Sequence, residues 1–434
     1  MNIGIEATTI TGAKGGFGDK SGVYRYFFNL VKSLSQVISK KDKLFLYDIY
    51  QFALKNMSAD LLPILRQDNI YGSLIKAPRS FKLEYTQIDD MPVIRWFAKK
   101  IDKYVIEPMS DRLVYGQFIR KINTDLEQNK IKVFHVSETV YFATPGIKQV
   151  ATVCDIIPIK FPDFQKEETV KIHMRRLRFI REKSDAIIAI SANTKNDLVK
   201  ELHFNPKKVF VTPLAADEAF KPVSRTEVLR TFQKVNEEIE ISKNTRIDYK
   251  KYLLFFGTLE PRKNLGVLLE AFRDLKKSGQ YQGKLVLVGG RGWGKIQQRL
   301  RAFVKENLLQ KEVICLGFVS DGILNDLING AQAVVYPSIY EGFGLPPLEA
   351  MQAGTPVITT NVSSMPEVVG KAALLFNPAD LEALKAYILN INIKPNLARE
   401  LSQKGIKQAK KFSWKKTAEQ TLEIYQRLAR QRKT

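Results

Sequence analysis

The sequence predicts an α/β protein made of two doubly wound domains, on three observations: its length, two series of short apolar runs separated by helical stretches, and a polar pause between the series. At 434 residues the chain exceeds what one hydrophobic core organises, so two domains of about 200 residues each are expected. The first series of β-branched and aromatic runs falls at 2–6, 43–47, 132–136, 150–154, 186–190 and 209–213. Strands alternating with helices at this spacing imply parallel βα units. Residues 221–250 are polar, charged and poor in apolar periodicity, which reads as a linker with some helix in it. A second series follows at 252–256, 284–288, 313–317, 333–337, 357–360 and 373–376, nearly continuous in apolar character, as strands buried on both faces should be. The predicted organisation is therefore 1–220 as the first domain, 221–250 as the linker, 251–412 as the second domain and 413–434 as a closing amphipathic helix capped by Ser413. Two such domains place ligands at the carboxyl ends of their strands, facing a central cleft.

The formal net charge of +23 is the strongest compositional signal, and it is concentrated at residues 251–300 and 401–434. Nucleic acid, an anionic membrane surface and phosphorylated substrates would each fit such a balance. Neither a nucleic-acid reader module nor aromatics interleaved with the basic runs are found, so nucleic acid is not an expected partner. Cys154 and Cys315 lie far apart, which speaks against a disulfide framework and for a reducing compartment. No apolar run approaches the roughly 18 residues of a membrane span and no export signal opens the chain, so the expected location is the cytoplasm.

The densest chemistry lies in Glu341-Gly-Phe-Gly-Leu-Pro-Pro-Leu-Glu349, which follows the predicted strand 333–337. Gly342 and Gly344 allow close backbone approach, Pro346 and Pro347 suit the start of a helix, and Gly354 suits its stop. A strand, a glycine-bearing loop and a helix N-terminus together offer N–H groups and a positive dipole end to a phosphate. Glu341 falls in the loop and Glu349 inside the first helical turn, so the two reach different ends of an extended ligand, one a sugar and the other a ribose. For either glutamate alone, a solvated acid or a dipole partner is the simpler reading; for the whole loop, a sugar-diphosphate site is. The second element is Phe256-Gly-Thr-Leu-Glu-Pro-Arg-Lys-Asn264, after the first strand of the second domain. Arg262 and Lys263 there suit a diphosphate, as a fork and a point charge. The glycines at 12, 15, 16, 18 and 22 do not keep dinucleotide-fingerprint spacing, so no nicotinamide cofactor is indicated. No Asp-x-Asp pair occurs and His135, His173 and His203 are scattered, so no metal site is apparent.

These two stretches resemble the donor-binding signatures of glycosyltransferase family 4, which has the two-domain GT-B fold, and within it the branch of O-antigen mannosyltransferase B-like enzymes. The resemblance also takes in residues 22–26, 152–158, 161–162, 190–191, 285–289, 316–320 and 412–414. It implies that Glu341 contacts the donor sugar beside the backbone of Gly342, Phe343, Gly344 and Leu345, that Glu349 binds the ribose and that Lys263 binds the diphosphate, helped by Arg262. It further implies that the backbone at Phe318 and Val319 meets the base, that Gly15 and Gly16 approach the phosphates, and that Asp155 and Glu341 serve the reaction with Lys263. Two departures stand out: Thr258 and Cys154 occupy positions where the family often has a basic residue and a histidine. The reaction implied is metal-independent, retaining transfer of a hexose, with mannose from GDP-mannose the first expectation. A UDP-hexose donor and a catalytically silent scaffold of the same fold are the alternatives.

The acceptor implied is a glycan or lipid-linked saccharide of cell-surface polysaccharide synthesis. Residues 93–106 place Arg95, Lys99 and Lys103 on one helical face, fitting either an anionic bilayer or an ordinary surface helix. Arg175, Arg176, Arg178 and Arg181 add to the case for peripheral membrane attachment.

Overall fold

The computed structural model describes residues 1–7, 22–48, 70–74, 119–138, 144–243, 245–290 and 296–431. Two sheets organise them. The first has seven strands: β1 Asn2–Glu6, β2 Lys43–Asp48, β3 Ile70–Leu74, β4 Val133–Ser137, β5 Lys148–Val153, β6 Ala186–Ala189 and β7 Val209–Val211, in the order β3-β2-β1-β4-β5-β6-β7. The second has six: β8 Tyr252–Phe256, β9 Lys284–Val288, β10 Val313–Gly317, β11 Ala333–Tyr336, β12 Val357–Thr360 and β13 Leu374–Phe376, in the order β10-β9-β8-β11-β12-β13. Neighbouring strands run parallel, as in the pairs β1–β2, β1–β4, β8–β9 and β8–β11. Both sheets are Rossmann-like, and each reverses its strand order once, between β1 and β4 and between β8 and β11. At such a reversal the two flanking loops leave in opposite directions and open a crevice for a ligand.

The elements form for the reasons the sequence suggests. All five residues of β8 are buried, which a central strand covered on both faces requires. Helix Leu265–Lys277 buries Leu265, Leu268, Leu269, Phe272 and Leu275, a stripe at helical spacing, against Leu253, Phe255, Leu285 and Leu287 of the sheet. Lys276 and Lys277 then complement the negative end of its dipole. The last helix, Trp414–Arg430, buries Trp414, Thr417, Ala418, Thr421, Leu422 and Tyr425, the face the sequence singles out.

Two features differ from the sequence reading. Most of 221–250 is a helix, Arg225–Lys243. Among its described side chains the buried apolar residues are Val228 and Phe232; Phe232 packs against Tyr252 while Asn236 exchanges hydrogen bonds with the backbone of Ile247. The chain also divides into two compact units, one of Met1–Ala151, Glu182–Ala186 and Leu422–Thr434, the other of Thr152–Arg181 and Ile187–Thr421. Residues 152–181 and 187–220 therefore group with the second series, through hydrogen bonds such as Lys221 N to Asn325 Oδ1 and Gln352 Nε2 to the carbonyls of Asp217 and Phe220. β3, with Gly72 and Ser73 in a short run, has no strong strand signal of its own.

Candidate active site

The loops after β8 and β11, on either side of the second reversal, bring the charged residues together. After β8 the chain enters a 3₁₀ turn, Pro261–Lys263, ended by Asn264 in the left-handed conformation at φ 52°. Proline fixes the turn's first φ, and asparagine tolerates the left-handed exit. The turn carries Arg262 and Lys263 inward. After β11 the loop 337–344 holds Glu341, whose backbone N–H donates to Ser363 Oγ at 2.9 Å, while Ser364 Oγ donates to its carbonyl at 2.9 Å.

One carboxylate oxygen is the hub. Glu341 Oε1 accepts from Lys263 Nζ at 2.5 Å, Arg262 Nη1 at 2.6 Å, Ser338 Oγ at 2.8 Å and Tyr336 Oη at 3.0 Å. Among the described residues no group pairs with Oε2, so one oxygen fixes the side chain and the other is left to meet a ligand. Arg262 Nε also binds Glu260 at 2.8 Å, and Lys263 Nζ donates to the Tyr336 hydroxyl and lies 4.7 Å from that ring's centroid. Burial alone would push the Glu341 carboxyl up, but the Arg262 and Lys263 charges reverse this and hold it at about 2. Lys263 is shifted down by its burial and by the neighbouring Arg262. Asp155, which accepts from Ile157 N–H at 2.9 Å, is shifted up by burial; Arg262 and Lys263 oppose that shift and the Glu341 charge adds to it. The structure thus brings Asp155, Arg262, Lys263 and Glu341 into one electrostatic cluster. Arg262 is already paired with Glu260 and Glu341 and Lys263 with Glu341, so an entering diphosphate competes with those carboxylates.

The two glycines are required where they stand. A Cβ on Gly342 would lie 2.2 Å from the Cys154 carbonyl oxygen, and Gly344, at φ 115°, would meet Met365 at 2.3 Å. Gly344 caps helix Leu345–Gln352. The prolines limit the phosphate-binding capacity expected of this helix end, because Pro346 and Pro347 have no N–H and Leu348 N–H is taken by Gly344 O at 3.3 Å. Leu345 is then the one residue among the first three of the helix that offers an N–H, with the loop amides before it. Glu349 is the fifth helical residue, past the first turn where the sequence reading puts it, and only 3% exposed. Pro346 and Pro347 are what occupy that first turn.

Of the other candidate residues, Thr258 is exposed beyond β8, while Phe318, 46% exposed, and the half-buried Val319 follow the edge strand β10. Gly15 and Gly16 lie outside the described residues, as do Arg95, Lys99 and Lys103. Cys154 is buried and Cys315 exposed, and the two form no disulfide. Among the described residues there is no cluster of metal-ligating side chains, and no helix is long and apolar enough to cross a membrane. Sequence reasoning missed Tyr336, Ser338, Glu260, Ser363 and Ser364. Of these, the Ser363-Ser364 pair, just past the carboxyl end of β12 and next to β11 in the sheet, is the signal that could have been found in the sequence.

Two Rossmann-like domains with a cation pair and a buried carboxylate at the second reversal define a nucleotide-sugar-dependent glycosyltransferase of the GT-B fold, and the comparisons agree. Residues 236–408 match the model of glycosyl transferases group 1, and residues 93–220 match that of glycosyltransferase family 4. The chain is 33% identical over 282 residues to O-antigen chain mannosyltransferase B of Escherichia coli, a match covering 65% of this chain and 71% of that protein. Among solved structures, sucrose-phosphate synthase from Thermosynechococcus elongatus superposes with a TM-score of 0.69 at 19% identity, covering 99% of each chain. The HepE protein of Anabaena, solved with UDP and glucose, superposes at 0.67 and 16% identity over 98% of this chain and 99% of that one. The chain belongs to the family 4 and group 1 glycosyltransferases, and is homologous to O-antigen mannosyltransferase-like enzymes.

Proposed function

We propose that this glycosyltransferase moves a hexose, with retention of anomeric configuration, from a nucleoside-diphosphate hexose to a hydroxyl of a glycan or lipid-linked glycan in cell-surface polysaccharide synthesis. The observation that carries the reading is Glu341, with Oε1 bound by four donors and Oε2 without a partner among the described residues, beside two cations suited to a diphosphate. In the proposed step the bond from C1 of the sugar to the phosphate oxygen breaks and its electron pair stays with the diphosphate. Lys263, Arg262 and the Leu345 N–H stabilise that charge. The acceptor hydroxyl attacks C1 from the same face through an oxocarbenium-like state, and its proton passes to the departing phosphate. Glu341 Oε2 orients the sugar and stabilises the cation. Glu349 is the candidate for the ribose, and the backbone at Phe318 and Val319 for the base.

Two donors have support. The UDP-hexose reading rests on a ligand-bound structure of the same fold, which holds UDP and glucose. The GDP-mannose reading rests on the relative with 33% identity, which is a mannosyltransferase. A thermal-shift panel of GDP, UDP and their hexoses decides, since a ligand at a hundred times its Kd stabilises by about 2.7 kcal/mol. Selective stabilisation by UDP-hexoses removes the mannose reading, and selective stabilisation by GDP-mannose removes the other.

The acceptor side is proposed to work at the cytoplasmic face of an anionic membrane. Helix Glu167–Lys183 supports this: Arg175, Arg178 and Arg181 line a cavity of about 300 Å³ with Met174, Leu177, Leu202 and Phe204, and Ile172 and Met174 are exposed nearby. Basic groups over apolar ones suit a phospholipid surface. Flotation with anionic liposomes should weaken on charge reversal at Arg175 and Arg178, and unchanged flotation would remove the membrane from the reading.

A further inference from the structure

The residues on both sides of Glu341 are anchored by side chains of segment 154–201 that sugar binding does not itself call for. Tyr340, buried and immediately before Glu341, donates its hydroxyl to Asp197 Oδ2 at 2.6 Å. Asp197, on helix Ala192–Leu202, also accepts from Asn193 Nδ2 at 2.9 Å and from Lys160 Nζ at 2.8 Å. Lys160 continues to Glu201 at 2.7 Å and stands 5.3 Å from the centroid of the Tyr340 ring, which Phe161 meets edge-on at 5.6 Å. On the other side of Glu341, the Gly342 carbonyl faces the Thr194 hydroxyl at 3.2 Å, and the same hydroxyl is 3.2 Å from the Cys154 carbonyl.

A carboxylate accepting from a phenol forms a charge-assisted bond, which holds position better than a neutral one. Lys160 supplies the counter-charge to the Asp197 carboxylate in this enclosed site. Burial and the Asp197 carboxylate push the Tyr340 phenol well above its ordinary value, so it stays a donor. Tyr340 connects to the sugar-facing carboxylate in two ways. It is the preceding residue, and its carbonyl accepts at 3.1 Å from Nη1 of Arg262, the same nitrogen that fixes Glu341 Oε1. A shift of Tyr340 therefore moves the backbone of Glu341 relative to Arg262, which Glu260 continues to hold.

We propose that Tyr340 and Asp197 form a latch that positions Glu341 for the donor sugar, with Lys160 as its counter-charge. Both are positioning residues acting through Glu341, and the inference rests on the reading that Glu341 meets the sugar.

The test uses the full chain with the hexose donor that the parent accepts, comparing Tyr340→Phe, Asp197→Asn and the double variant for transfer kinetics and for nucleoside-diphosphate affinity by calorimetry. A nucleoside diphosphate lacks the sugar, so it reports the cation and base contacts alone. The expected result is a fall in kcat of roughly tenfold to a hundredfold, the cost of a small misplacement at the reacting centre. Nucleoside-diphosphate affinity should stay within twofold of the parent, and the double variant should lose no more than the worse single. Tyr340→Phe removes one oxygen and keeps the packing, so it guards against a folding defect in Asp197→Asn. Parental kcat in Tyr340→Phe, additive losses in the double, or equal losses of kcat and nucleoside-diphosphate affinity would each overturn the latch. A parent that transfers hexose from no donor would instead overturn the functional reading beneath it.

Discussion

The two sheets share one plan and differ in what stands at the reversal. In the first, β1 ends in Glu6, which is fully buried and accepts from Ser137 N–H at 3.3 Å at the end of β4. His135, one turn of the pleat earlier in β4, lies 2.5 Å from the Tyr425 hydroxyl, and burial holds its imidazole down at about 3, so it is neutral. In the second sheet, the same two topological positions lead to Arg262 with Lys263 and to Glu341, two charges of one sign facing one of the other. Topology supplies a crevice in both places. Among the described residues, the second carries the paired cations suited to a diphosphate, in keeping with the donor site proposed there.

The comparison predicts large losses at the second reversal. Glu341→Ala should lower kcat by roughly 10²–10³-fold, the scale for removing a group that stabilises developing charge. It should also lower stability by about 3–5 kcal/mol, because Lys263 is left buried without its carboxylate and Arg262 keeps Glu260 alone. Steady-state kinetics and melting measure the two. The pH dependence has a definite sign: the Glu341 carboxyl is depressed from 4.5 to about 2, so its stabilisation is present above 4.5 and lost as pH falls through about 2. The melting difference between parent and Glu341→Gln should be flat above pH 5 and shrink below it. A difference that grows towards acid would show the carboxylate is not the ionised partner. Lys263→Met comes next, with kcat/KM for the donor down about a hundredfold. A loss confined to the acceptor KM would move Lys263 out of the diphosphate site.

Much of this was legible in the sequence, for physical reasons that also mark its limits. The strands show because buried parallel strands must be continuously apolar, as in Tyr252–Phe256. Gly342 and Gly344 show because only glycine fits beside the Cys154 carbonyl and at φ 115°. The hub on Glu341 Oε1 is different: Tyr336 and Ser338 are an ordinary aromatic and an ordinary serine until the loop folds back on Arg262. Asp197 is 143 residues from the Tyr340 it anchors, and no local pattern encodes that distance. The prolines were read for the φ they supply; the N–H groups they remove matter as much for phosphate binding.

Smaller effects sharpen the comparison by pairing one position from each sheet. Gly342→Ala places a methyl 2.2 Å from a backbone carbonyl, and Gly4→Ala on β1 places one 2.7 Å from the Phe134 ring. Each should cost about 1–3 kcal/mol of stability. Gly342→Ala alone should also weaken donor binding, since it displaces the loop beside Glu341, and equal weakening by Gly4→Ala would blur the distinction between the reversals.

The smallest expected effect is the most exacting test. Glu6→Gln keeps the size of the side chain and one acceptor oxygen for Ser137 N–H, so stability should change by about 1 kcal/mol at most. Nucleoside-diphosphate affinity, measured by calorimetry, should stay within twofold, because the paired cations suited to a diphosphate, Arg262 and Lys263, gather on Glu341 at the other reversal. A tenfold loss, about 1.4 kcal/mol of binding, would mean that the carboxylate at the end of β1 takes part in donor recognition.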